Sequence, residues 1–64
     1  MKHAPAPAPR RHRWHVTLLT ARSGELAYVV ESEDSHGAIS VACGRASEDD
    51  RAWHVLDVVG ARRI

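Results

Sequence analysis

The chain of 64 residues has no phenylalanine, one cysteine, one methionine and three aromatic side chains in all, Trp14, Tyr28 and Trp53. Each shortage excludes something. A lone Cys43 makes no internal disulfide. Without a CxxC pair or a Cys/His set at finger spacing, no closed structural zinc site is encoded. Apolar runs are only a few residues long, against the roughly 20 residues that cross a bilayer. Gly-rich phosphate loops, HExxH and GxSxG are all missing, so the chain reads as a non-enzyme without a cofactor.

Small folds make up for a thin core with disulfides, metals or association. A chain of this length buries only about 60% of its unfolded surface. With disulfide and zinc removed, association with a second copy or a partner is the expected stabiliser, and a homodimer is the expected state.

Acid is missing from the first 22 residues, which hold Lys2, Arg10, Arg11, Arg13 and Arg22. All eight acids lie between Glu25 and Asp57, and Arg62 and Arg63 follow them. The formal net charge of +1 therefore hides basic ends around an acidic middle, a pattern of interaction tails. Eight of the nine basic residues are Arg, which a GC-rich genome explains as well as selection for guanidinium geometry does.

What is present begins with Ala4-Pro5-Ala6-Pro7-Ala8-Pro9. Proline holds φ and pushes its predecessor to extended geometry, so this is a stiff spacer rather than core. Residues 1–12 are expected to be a disordered Ala/Pro and Arg-rich arm, and residues 13–64 a single small domain. The opening does not read as a signal peptide, and a cytoplasmic protein is expected.

Alternation predicts strands at Trp14–Thr20 and Leu26–Glu31, joined by a turn at Gly24, and a third at Ala52–Val59. Between them Ala38, Ala42 and Ala46 recur at four-residue spacing, the mark of a helical face. Ser32 or Ser35 would cap that helix, with Glu33 and Asp34 at its positive end. Ala38–Cys43 also alternates like a strand; the helix is preferred. The result is an α+β fold of order β-β-α-β. The right-handed crossover rule puts the third strand beside the first, a three-stranded antiparallel sheet of order 2-1-3 with one helix on one face. Small proteins of this build are common in bacteria, an analogy of fold alone.

Apolar residues fall on both faces of such a sheet, with Trp53, Val55 and Val59 expected inward and Leu56 and Val58 outward. One helix covers one face, so the other is expected to meet a second copy, either face to face or through the edge of the third strand. With no Phe, Trp14, Trp53 and Tyr28 are expected to supply most of the large core volume.

The candidate site is basic. Arg10, Arg11 and Arg13 next to Trp14, with Arg62 and Arg63, suit phosphate and stacking contacts to nucleic acid. The alternative is a protein-interaction module that docks through the sheet edge or the acidic segments 31–34 and 48–50. Five histidines allow a His15–His54 pair with Cys43 or His36 as a zinc or nickel site, but compositional bias accounts for them and no metal ligand is assigned.

Overall fold

The computed structural model describes residues 10–64. Of the arm expected over residues 1–12, residues 1–9 lie outside them; Arg10 and Arg11 precede the first strand, and His12, expected in the arm, already belongs to it. The elements run β1 (His12–Thr20), β2 (Gly24–Ser32), α1 (Ser35–Ser47) and β3 (Val55–Arg63). The sheet is antiparallel with order β2-β1-β3, as the crossover rule predicts.

The β1–β2 hairpin keeps strict register from His12–Ser32 to Thr20–Gly24. Its turn closes on Gly24, whose φ of +68° a residue with a Cβ rarely adopts. Thr20 is buried there without an unmet group: its hydroxyl donates to Gly24 O at 2.7 Å and accepts from Ser23 N at 3.2 Å.

Helix α1 lies on the sheet through Ala38, Ala42 and Ala46, each at most 2% exposed. Small side chains on that line let the helix seat closely. The cap is Asp34, not Ser32 or Ser35. Its carboxylate accepts from Gly37 N at 2.7 Å, satisfying one of the free N–H groups of the first turn. Ser32 packs beneath instead: a Cβ on Gly37 would collide with Ser32 Oγ, which explains a glycine inside the first turn.

β3 departs from the expected Ala52–Val59. It starts three residues later and runs through Gly60 to Arg63. Its pairing with β1 slips twice, between Thr17 and Leu18 and between Leu19 and Thr20. Each slip inserts one residue, Val59 and Leu56 respectively. The half-buried positions therefore recur every three residues, at Val55, Val58 and Ala61, instead of every two. So Val58 packs inward and Val59 is exposed, the reverse of the strict alternation expected.

Trp53, expected in the core, lies outside it. It sits before the strand, in the loop, with φ of +55°, and it is 69% exposed. Arg22 stands over its ring at 5.8 Å and the His54 ring is 6.1 Å away. The core is built of smaller parts: Val16, Leu18 and Val30 are the largest side chains fully enclosed, with Ala52 filling the loop side. Tyr28 is buried up to its hydroxyl, and Trp14 packs at the margin. Trp14-His15-Val16 and Trp53-His54-Val55 share a sequence but not a place: the first lies within β1, whereas the second begins in the loop.

The loop after α1 is fastened to β2. Asp49 accepts from the Tyr28 hydroxyl at 2.8 Å and from Arg51 through its backbone N–H and two guanidinium nitrogens at 2.9–3.1 Å. These donors, Arg51 first, hold the Asp49 carboxyl well below the usual carboxylate range. Burial and the same carboxylate push the Tyr28 phenol up. Among the described residues no helix is long and apolar enough to cross a membrane.

Candidate nucleic-acid interface

Antiparallel pairing of β1 with β3 sets the start of one beside the end of the other. Trp14 stands opposite Arg63 and His15 opposite Arg62, and Ile64 N donates to Arg13 O at 3.0 Å. Arg10, Arg11 and Arg13 are thereby gathered with Arg62 and Arg63 at one end of the sheet, although about fifty residues separate the two groups in sequence. All five are exposed. Among the described residues the one ion pair is Arg51–Asp49, so none of these five has a carboxylate within salt-bridge distance. Glu31, in register with Arg13, is the acid placed nearest by the pairing.

Trp14 occupies a different position from its neighbours. It is half-buried against the core, and its indole N–H donates to Ser32 O at 2.9 Å. Its ring closes the end of the core at the base of the arginine cluster.

Arg45 was not anticipated. From the last turn of α1 it reaches Val29 O on the free edge of β2, at 3.5 Å, and with Arg11 and Arg13 it lines an open groove of about 540 Å³. No sequence signal foretells this, because the contact depends on how the helix lies across β2. A second groove, about 500 Å³, joins Arg11 to the acidic run Glu31, Glu33 and Asp34.

His15 and His54 do not converge. His15 lies in the row of Arg62, whereas the carbonyl of His54 accepts from Ala21 N beyond the opposite end of β1. Among the described residues no three His, Cys, Asp or Glu side chains are grouped to hold a metal ion. Cys43 is a free, half-buried thiol on α1. Asp57 is exposed on β3 and accepts from Val58 N at 2.8 Å, so it needs no buried partner.

Fold and site together define a small α+β domain, one helix on a three-stranded sheet, with an unpaired arginine cluster at one sheet end. The chain matches no family model, no curated protein and no solved structure.

Proposed function

We infer that this chain is a binding protein rather than an enzyme, and that it grips nucleic acid by its phosphates at the arginine end of the sheet. The observation that carries this is the meeting of Arg10, Arg11 and Arg13 with Arg62 and Arg63, all exposed and none ion-paired. Holding like charges together costs energy unless counter-charge arrives, and guanidinium groups take phosphate bidentately. The contacts are to backbone, so binding is governed by charge rather than base sequence.

Fluorescence anisotropy with duplex DNA, single-stranded DNA and RNA tests the reading. Affinity should fall steeply with salt, with a slope of about −0.9 per phosphate engaged on duplex DNA and about −0.7 on single strands. Replacing Arg10, Arg11, Arg62 and Arg63 together by Gln should remove binding and leave the fold intact. Deleting residues 1–13 is a poorer test, because it cuts His12 and Arg13 out of β1. Absence of binding to all three nucleic acids at low salt would reject the proposal and favour a protein partner at the sheet edge or the acidic segments.

A further inference from the structure

Helix α1 covers one face of the sheet, and among the described residues nothing covers the other. On that open face β1 presents Arg13, His15, Thr17 and Leu19, and β2 presents Glu25, Ala27, Val29 and Glu31. Apolar side chains stand out on it: Val29, in the row of His15, is 49% exposed, Leu19, between Glu25 and Asp57, 36%, and the inserted Val59 54%. A sheet face turned to water usually reads polar at these positions.

The two ends of this face carry opposite charge. Arg62 flanks His15 at one end, with Arg13 and its cross-strand neighbour Glu31 beyond it. Glu25 and Asp57 flank Leu19 on either side at the other. Between them Thr17 and Gly60 face each other, and a shallow groove of about 310 Å³ runs past His15, Thr17, Val59, Gly60 and Arg62. Gly60 leaves a notch, since a Cβ built there meets no atom within 4 Å.

We propose that a second copy of this chain closes the open face, packed face to face about a two-fold axis crossing β1 at right angles near Thr17. That axis reverses the strand direction, so Arg62 of each copy lies over the partner's Asp57. By the same operation Leu19 of each copy lies over the partner's His15 and Val29 over the stem of its Glu25, the Ala27, Thr17 and Gly60 rows meet each other, and Val59 stands near the Gly60 notch of the other copy. An axis running along β1 would set Asp57 over the partner's Glu25 and Arg13 over the partner's Arg13, so the charge pattern selects one orientation.

The sheet edges are poorer routes to a dimer. β3 is bulged twice, which bends it away from a flat ladder. β2 carries Glu25 and Glu31 symmetrically about Tyr28, so pairing β2 with its mate about that centre sets Glu against Glu. Three strands about 4.8 Å apart and nine residues long at about 3.4 Å each offer a footprint of roughly 15 by 30 Å. That lies at the small end of specific interfaces, so the association is expected in the micromolar range. Arg10, Arg11 and Arg63 stay outside this contact, Arg63 being opposite Trp14 on the helix side. Arg13 and Arg62 lie within it, so in the dimer Arg10, Arg11 and Arg63 are the arginines left open to phosphate.

Sedimentation velocity of the full chain, free of nucleic acid, from about 10 to about 500 µM spans the expected range. A concentration-dependent monomer–dimer equilibrium is expected. Arg62→Glu and Asp57→Lys should each weaken it at least tenfold by placing like charges together. Mixing the two variants should restore a heterodimer, because each then meets the opposite charge, and loss of folding cannot imitate that rescue. Gly60→Gln gives a second handle: it fills the notch in a position where the monomer has open space, and it should leave a folded monomer. A wild-type chain that remains monomeric throughout would overturn the proposal. So would a dimer that ignores both charge reversals and the Gly60 substitution.

Discussion

The two faces of the sheet are made from the same aliphatic residues and meet opposite surroundings. Val16, Leu18 and Val30 on the helix side are 0–1% exposed, while Val29 and Val59 on the other side are half exposed. Adjacent residues of one strand divide this way, Leu18 inward and Leu19 outward. The difference teaches that hydrophobicity placed these side chains in a strand, whereas the alanine line of α1 decided which of them became core. Only the face that accepts a close-packed helix gains the dispersion and dehydration of a protein interior.

The contrast breaks most visibly by truncation. Leu18→Ala should destabilise the chain by about 2–5 kcal/mol, since it leaves a cavity beneath the helix. Leu19→Ala, one residue on, should change monomer stability by no more than about 0.5 kcal/mol. Chemical denaturation at a dilution where the chain is monomeric measures both. Equal losses would mean that the open face is already core.

Ala42→Leu is the next test. Extra volume beneath α1 lifts the helix from the sheet, at an expected cost of about 1–3 kcal/mol. Val41→Leu on the exposed side of the same helix should cost almost nothing. Urea unfolding of the two variants compares them directly.

Titration sharpens the contrast at the tie between the helix-side core and the following loop. The Asp49 carboxyl is depressed by Arg51 and Tyr28, so its contribution is present above the unfolded value near 4 and is lost as pH falls below it. The Tyr28 phenol is raised, so its contribution is present below about 10 and is lost as pH rises beyond that. Stability should therefore be flat between about 4 and 10 as far as this pair is concerned, and Tyr28→Phe should weaken the acid limb and remove the alkaline one. Thermal melts across pH check this, and an unchanged profile in Tyr28→Phe would show that the tie carries no stability.

The smallest expected effect on stability is that of Gly60→Gln. Its side chain enters open space on the uncovered face, so the melting temperature of dilute protein should scarcely move. Any large drop would show that the bulged backbone at Val59 and Gly60 tolerates no side chain.

Much of the fold was legible because it rests on local pattern. The alternation of β1 and β2, the turn at Gly24 and the Ala38, Ala42, Ala46 line are each written within a few residues of one another. The 2-1-3 order then follows from the crossover rule. The errors gather where β3 meets β1. Two inserted residues turned a period of two into a period of three, and apart from Gly60 nothing in Val55–Arg63 signals a bulge. Trp53 was misplaced by an argument from scarcity. A chain without Phe has few large side chains to bury, yet valine, leucine and alanine fill this core. The arginines of the candidate site were visible one by one, but Arg45 was not, because its place depends on the lie of a helix.

The sequence alone determined the kinds of element, their order and the charge of each segment, since period, capping chemistry and turn residues act over short range. The tertiary structure decided what those segments meet. Antiparallel pairing of the first and last strands brought Arg13 beside Ile64 and Arg62 beside His15, and with the hairpin it set Asp57 and Glu25 on either side of Leu19 at the far end. Long-range pairing depends on which strands share hydrogen bonds and where the ladder slips, and neither is encoded within a single strand. The sorting of like side chains into a buried face and an open one is decided by that pairing and by the single helix that crosses it.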